Sequence, residues 1–243
     1  MKKKLIGVLL VLIVSLGAGG FVYINDYYHA GEEAIAVMGS EATDEVIVSE
    51  KDGMAVFLPR GGSDIGIIFY PGGKVEYSAY APLLYRCAQQ GITCVLVEMP
   101  GNLAVLDINA ADGIQDRYTH VNEWYLAGHS LGGAMASSYL ASHTDDYAGI
   151  ILLASYSTEP LHGEKVLSIY GSEDKVLNMT KYEENRGNLP EDCTEMMIDG
   201  GCHAYFGDYG AQDGDGVPTI SAEQQQEMAA QAIVEFVALQ DDK

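Results

Sequence analysis

Basic residues are scarce in this sequence. The 243 residues include 13 lysines and arginines against 35 aspartates and glutamates, which gives a formal net charge of −22 at pH 7. A surface this negative repels phosphate backbones and anionic lipid headgroups. The composition therefore argues against a nucleic-acid-binding protein and against membrane attachment through a basic patch.

Cysteine is scarce as well, with 4 residues, far below the density of a fold held together by disulfides. Cys193 and Cys202 flank an apparent strand that holds its ends farther apart than the ~7 Å a disulfide allows between Cα atoms. Cys87 and Cys94 lie across a helix-to-strand turn, where a disulfide is possible but two free buried thiols are the simpler interpretation. No metal-ligand spacing is present, and we expect neither a metal nor a cofactor. A hydrophobic core must stabilise the chain.

One long apolar run, residues 5–24, follows three lysines at positions 2 to 4, and within it only Ser15 and Tyr23 carry polar side-chain atoms. A helix of that length spans ~30 Å, the hydrocarbon thickness of a bilayer. Because positive charges tend to stay in the cytoplasm, the rest of the chain is expected outside it. We interpret residues 1–24 as a signal anchor, with a cleaved signal peptide or a buried core helix as alternatives.

The remaining residues, 25–243, have the size of one domain. If residues 5–24 are an uncleaved anchor, this domain is extracytoplasmic and tethered to the cell membrane through that helix only. If the segment is cleaved, the domain is secreted.

The domain alternates strands and helices. A hairpin is predicted over 45–49 and 54–58, and a weak helix over 31–38 precedes it. Short apolar runs suited to buried parallel strands then recur at 65–70, 92–97, 124–127, 148–154, 166–170 and 195–198, with helices at 78–90, 108–117, 131–143 and 180–186. A last helix opens with a capping box, Ser221 and Gln224, and shows an apolar stripe through Met228, Ala232, Ile233, Phe236 and Val237. The pattern predicts an α/β fold, a mostly parallel sheet with helices on both faces. Reactive groups in such a sheet belong at the carboxyl ends of strands.

One motif, G-x-S-x-G, stands at residues 128–132. An apolar strand runs into it and an alanine-rich helix runs out of it, so Ser130 is expected on a sharp strand-to-helix turn. At a helix N-terminus, its Oγ would lie where developing negative charge is stabilised. A glycine-rich turn with a capping serine is the structural alternative.

A serine nucleophile requires a base and an orienting carboxylate. Both appear later in the chain at strand ends. His203 is the histidine that follows a predicted parallel strand on a glycine-rich turn, although a surface histidine would look the same. Asp174 follows the preceding strand, and Glu173 beside it is the competing acid.

The order Ser130, Asp174, His203 resembles the triad of the α/β-hydrolase family, and the resemblance covers residues 45 to 240. It implies an oxyanion hole made of the Leu131 N–H and a second N–H from the loop after the first parallel strand, residues 70–74. That second donor is Gly73 or Lys74. The loop departs from the His-Gly pattern of many members, with Pro71 in place of the histidine. Dienelactone hydrolases are similar in size, but their nucleophile is a cysteine.

Three side chains near the expected cleft are candidates for substrate binding. Lys74 is suited to a substrate carboxylate or phosphate, or is simply solvated. Tyr77 and Tyr205 are suited to an acyl pocket, or to ordinary packing. Between the strands at 148–154 and 166–170 there is too little chain for a helical lid, so an open site without a large lid domain is expected.

Together these patterns predict an exported serine hydrolase that cleaves a small-molecule carboxylic ester through an acyl-enzyme on Ser130. The alternatives are an acyltransferase or a peptidase on the same triad, or a non-catalytic binding protein on the same fold.

Overall fold

The computed structural model describes residues 20, 26–40, 43, 45–161 and 163–238. Except for Gly20, the predicted anchor at 1–24 lies outside these residues. Within the described ranges, no helix is both long and apolar enough to cross a membrane.

Eight strands form a single sheet in the order β1-β2-β4-β3-β5-β6-β7-β8. The pairs β1–β2 and β2–β4 are antiparallel, and the pairs from β4 through β3 to β8 are parallel. The bounds are β1 Val46–Lys51, β2 Met54–Pro59, β3 Ile65–Tyr70, β4 Thr93–Val97, β5 Glu123–His129, β6 Gly149–Leu153, β7 Lys165–Gly171 and β8 Thr194–Ile198. The predicted mostly parallel sheet is confirmed.

Helices cover both faces of this sheet. The α-helices bounded within the described ranges are α1 Glu32–Gly39, α2 Ala81–Gln89, α3 Leu131–Leu140, α4 Met179–Glu184 and α5 Ala222–Ala238. Successive side chains of β3 enter different apolar clusters: Ile67 and Phe69 pack on one face, and Ile68 and Tyr70 pack on the other. Both clusters are buried, which explains why the central strands are continuous apolar runs instead of alternating ones.

The helix predicted over 108–117 is wrong. The chain forms short 3₁₀ turns at Ala104–Leu106 and Gln115–Arg117 instead. The Tyr70 hydroxyl donates to the carbonyl of Ile108 at 2.8 Å and accepts the N–H of Ala111 at 3.0 Å. These contacts with β3 hold the segment in an irregular path, and Gly113 adopts a left-handed φ of 69° that an α-helix does not contain.

The capping box of α5 is confirmed, because Ser221 N–H donates to Gln224 Oε1 and Gln224 N–H donates to Ser221 Oγ. The predicted apolar stripe is wrong at Met228, which is 38% exposed. Gln225 faces inward instead, where its side-chain amide bonds both the N–H and the carbonyl of Cys202. A polar residue thus occupies the buried face because its hydrogen bonds are satisfied there.

All four cysteines are free thiols; Cys87, Cys94 and Cys202 are buried, and Cys193 is half-buried.

Candidate active site

Ser130 occupies the turn between β5 and α3 with φ 51° and ψ −121°, a strained combination for a residue with a side chain. Two glycines make the turn sterically possible. A Cβ on Gly128 would lie 2.6 Å from the Gly132 carbonyl carbon, and a Cβ on Gly132 would lie 2.2 Å from the Tyr70 carbonyl oxygen. The Ser130 N–H donates to the carbonyl of Leu153 in β6 at 2.9 Å, which anchors the turn to the sheet.

His203 and Asp174 form a buried pair. The distance from His203 Nδ1 to Asp174 Oδ2 is 2.8 Å, and both side chains are almost fully removed from solvent. The other carboxylate oxygen, Oδ1, accepts the N–H groups of Val176 at 2.9 Å and Leu177 at 2.8 Å. With Nδ1–H donated to the carboxylate, the lone pair of the neutral imidazole lies on Nε2.

Glu173, the competing acid in the sequence, takes a different position. It is half-buried, and its Oε1 lies 3.4 Å from the hydroxyl of Ser172. The structure therefore brings Asp174 to His203 and leaves Glu173 outside the pair.

Ser130 and His203 line one cavity of about 320 Å³. No aspartate, glutamate, lysine or arginine is among its lining residues. The cavity walls come mainly from α3 and from the loops after β6 and β7. The other lining residues are Leu131, Ala134 and Met135 of α3, Ala154, Ser155, Tyr156 and Thr158 after β6, and Val176, Leu177 and Asn178 after β7. Apart from His203, the surface offered to a ligand thus carries no formal charge and is largely apolar.

Two backbone N–H groups are candidates for an oxyanion hole. Leu131 is the first residue of α3, where the N–H has no acceptor one turn earlier within the helix. In the neighbouring loop, the Lys74 N–H donates to the Asn102 carbonyl at 2.8 Å, and the Gly72 N–H donates to the Tyr80 hydroxyl at 3.1 Å. Among the described residues nothing accepts the N–H of Gly73. Of the two donors left open by the sequence, Gly73 is therefore the one available.

The Gly73 loop lies directly against the Ser130 turn. A Cβ on Gly73 would come within 2.9 Å of the Leu131 side chain. The absence of a side chain at this position allows the two candidate donors to approach each other.

His129 is a further group at the site that sequence reasoning passed over. It is buried, its ring centroid lies 4.5 Å from that of His203, and its Nδ1 lies 2.8 Å from the Tyr80 hydroxyl. Burial, and secondarily the neighbouring His203, lowers the pKa of His129 well below its usual range. A neutral His129 therefore packs against the His203 ring, and Tyr80 links it to Gly72 of the candidate oxyanion loop.

None of the three candidate substrate-binding residues is among those that line this cavity. The Lys74 ammonium pairs with Asp26 Oδ2 at 2.8 Å. Tyr77 is buried in the core, where burial, followed by a hydrogen bond to Glu50, raises its pKa. Tyr205 packs half-buried against the same core.

The lining loops at 154–158 and 176–178 were not identified from the sequence. Their position in the sequence could have identified them, because they follow β6 and β7, the next two strands of the sheet beyond β5, which leads into Ser130. In a parallel sheet the carboxyl ends of neighbouring strands share one edge.

A family model described as the alpha/beta hydrolase family matches residues 66–227. No curated protein sequence matches the chain. Among solved structures, the fold is similar to a dienelactone hydrolase from Anabaena variabilis, with 15% identity, a TM-score of 0.61, and coverage of 79% of this chain and 97% of that one. It is also similar to Est1E from Butyrivibrio proteoclasticus, with 14% identity, a TM-score of 0.57, and coverage of 80% and 100%. A third is a soluble variant of monoglyceride lipase from Saccharomyces cerevisiae, with 9% identity, a TM-score of 0.57, and coverage of 81% and 96%.

Proposed function

The chain belongs to the alpha/beta hydrolase family, and on that basis we propose that it is a serine hydrolase that cleaves a carboxylic ester through an acyl-enzyme on Ser130. Its hydrolase domain is residues 25–243. The observation that carries the proposal is the buried contact of 2.8 Å between His203 Nδ1 and Asp174 Oδ2, with His203 and Ser130 lining one cavity. A base oriented by a carboxylate beside a serine is the arrangement that activates a hydroxyl nucleophile.

In the proposed mechanism, Nε2 of His203 accepts the Ser130 hydroxyl proton as Oγ attacks the ester carbonyl carbon. The N–H groups of Gly73 and Leu131 stabilise the oxyanion that forms. Asp174 holds His203 in the required tautomer and stabilises the imidazolium. His203 then gives the proton to the departing alkoxide, which leaves as an alcohol. In the second half of the reaction, His203 accepts a proton from a water molecule as that water attacks the acyl-enzyme. The carboxylic acid is released and Ser130 regains its proton.

The cavity supports a small, uncharged substrate. Its volume of about 320 Å³ lies at the lower end of the range of ~300–1,000 Å³ typical of small-molecule sites. The described residues between β6 and β7 include no helix, so no helical lid covers the site from there. We infer short or medium acyl chains as the preferred substrates, in solution. One of the similar structures, the monoglyceride lipase, is named for an ester substrate.

The proposal is tested by assaying the full-length protein in mild detergent against nitrophenyl esters of graded chain length. Ser130→Ala should lower kcat by at least about 10³-fold, because the nucleophile is removed. Ser142→Ala is the matched control, since Ser142 is exposed beyond the far end of α3, and it should retain wild-type rates. Full activity of Ser130→Ala would exclude the proposed chemistry.

We also propose that residues 5–24 are an uncleaved anchor and that the domain lies outside the cytoplasm. The support is the length and apolarity of that run after three lysines. Asp26 pairs with Lys74, next to Gly73, so a tether ending just before Asp26 would attach beside the active-site edge of the domain. The full-length product should resist carbonate extraction from membranes and keep its N-terminus by mass. A soluble product beginning near residue 19 would show a cleaved signal peptide instead.

A further inference from the structure

Asp215 is a partly buried acid outside the cavity lining, in the loop between the 3₁₀ turn Ala204–Phe206 and α5. Its carboxylate accepts three backbone N–H groups. Oδ2 accepts Ala204 at 2.9 Å, and Oδ1 accepts Gly216 at 2.8 Å and Lys175 at 3.3 Å.

Two of those N–H donors belong to residues adjacent to the His203–Asp174 pair. Ala204 directly follows His203, and Lys175 directly follows Asp174. One carboxylate therefore bonds the backbone on the C-terminal side of both members of the buried pair. The loop also packs tightly there, because a Cβ on Gly216 would meet the Glu173 carbonyl oxygen at 1.8 Å.

The N-terminal side of the pair is held by other groups. The Glu173 N–H donates to the Gly201 carbonyl at 2.8 Å, and the Gln225 side chain bonds both backbone groups of Cys202. Asp215 binds the backbone on the C-terminal side of His203 and Asp174, through the N–H groups of Ala204 and Lys175. Without it, the backbone beyond His203 and the backbone beyond Asp174 lose their shared acceptor.

The charge of Asp215 is maintained by its surroundings. Burial acts to raise its pKa, but the N–H groups of Ala204, Gly216 and Lys175, together with the nearby backbone N–H of His203, outweigh that effect and lower it. A carboxylate that stays ionised accepts these bonds strongly across the neutral range.

We propose that Asp215 is a positioning residue, which holds His203 and Asp174 at hydrogen-bond distance by binding the backbone N–H that follows each of them. This inference rests on the proposed function of that pair as the base and acid of a serine hydrolase. Asp215 itself does not line the cavity and acts only through the two loops.

The test compares full-length Asp215→Asn with Asp213→Asn. The first variant keeps the shape of the side chain but replaces one accepting oxygen with an amide that cannot accept. The second removes one charge from the same loop at an exposed position. Asp215→Asn should lower kcat by about 10- to 100-fold, as expected for a small displacement of catalytic groups, with KM nearly unchanged. Asp213→Asn should leave both constants at wild-type values.

The pH profile separates positioning from general damage. The titratable groups around His203 include Asp174 and His129. Those around Asp215 include Cys202 and Tyr209, whose raised pKa values keep them neutral at neutral pH, and Lys175, whose backbone N–H bonds the carboxylate. When Asp174 stabilises the imidazolium less, the acid limb of kcat/KM should move to lower pH in Asp215→Asn. Asp215→Glu keeps the charge and should show a smaller loss of kcat. If Asp215→Asn does not fold, Asp215→Glu replaces it as the test variant.

One measurement is independent of turnover. The proton shared by His203 Nδ1 and Asp174 Oδ2 should give a downfield proton NMR resonance in the wild type, and this resonance should broaden or vanish in Asp215→Asn. Wild-type kcat and an unchanged resonance in Asp215→Asn would overturn the inference while the proposed function stands. If the wild type hydrolyses no ester, the proposed function fails, and the resonance still decides whether Asp215 holds the pair together.

Discussion

Asp174→Asn is the substitution whose consequences the geometry defines most fully. The amide oxygen can still accept the N–H groups of Val176 and Leu177, which Asp174 Oδ1 accepts at 2.9 and 2.8 Å. The amide NH₂ then faces His203 Nδ1, where a carboxylate oxygen now lies at 2.8 Å. Because an NH₂ group donates, Nδ1 must become the acceptor. The imidazole proton then moves to Nε2, which can no longer accept the proton of Ser130.

The expected loss of activity is large. A wrong histidine tautomer lowers kcat by about 10⁴-fold in a serine triad, which corresponds to ~5.4 kcal/mol at 1.36 kcal/mol per tenfold change. The loss of folding stability is smaller, since two hydrogen bonds change from a charged to a neutral acceptor and the bond to His203 is reversed, at about 0.5–1.5 kcal/mol each. For a chain of this size that lowers Tm by about 2–4 °C per kcal/mol.

Glu173→Gln is the matched control. It makes the same chemical change one residue earlier, at the acid the sequence left as an alternative. Both variants are assayed with a short nitrophenyl ester, and thermal unfolding is monitored to confirm that they fold. Glu173→Gln should stay within about twofold of wild type, because its side chain bonds Ser172 and lies outside the His203–Asp174 pair, and substitutions away from buried networks usually change stability by no more than ~0.5 kcal/mol. Near-normal activity of Asp174→Asn, or a greater loss in Glu173→Gln, would refute the assignment of the acid.

Three further results are expected. The value of kcat/KM should rise with pH to a plateau because His203 must be neutral to accept a proton, and a rate that is flat from about pH 5 to 9 would count against this base. Folding stability should fall below about pH 6.5, by up to ~1.4 kcal/mol per pH unit, because unfolding lets His129 take up a proton that its lowered pKa excludes in the folded state. In denaturant titrations, His129→Asn should reduce this dependence of stability on pH. The control His120→Asn, at an exposed position, should leave the dependence unchanged. Rates with a medium-chain ester should show no jump at the critical micelle concentration, since no helical lid between β6 and β7 has to open; a sharp increase would point to another loop acting as a lid.

The sequence was most informative where local chemistry determines structure. Strand β3 was predicted with its observed bounds, because a run that is apolar on both faces is suited to the centre of a parallel sheet. The turn at Ser130 was predicted because only glycine is tolerated where backbones come as close as they do at Gly128 and Gly132. Asp174 and His203 were chosen because each follows a strand whose carboxyl end lies on the same edge of the sheet.

The sequence was least informative where distant segments decide the outcome. Tyr70 determines the path of residues 108–111 through two hydrogen bonds that no local pattern contains. Likewise, the sequence around Lys74 does not reveal that the Lys74 N–H donates to the Asn102 carbonyl, or that the Lys74 ammonium pairs with Asp26. Their position after β6 and β7 indicates that the loops at 154–158 and 176–178 border the site, but which of their side chains line the cavity depends on how the loops pack.

The proposed mechanism requires Ser130 to be an activated nucleophile. Its most direct test is to treat the full-length protein with a fluorophosphonate probe and locate the adduct by peptide mass spectrometry, since an activated serine attacks phosphorus as it attacks an acyl carbon. We expect one adduct on Ser130, slow labelling of Asp174→Asn and no labelling of Ser130→Ala. An adduct on Ser155, which lines the same cavity, or equal labelling of Ser130→Ala, would contradict the proposed mechanism.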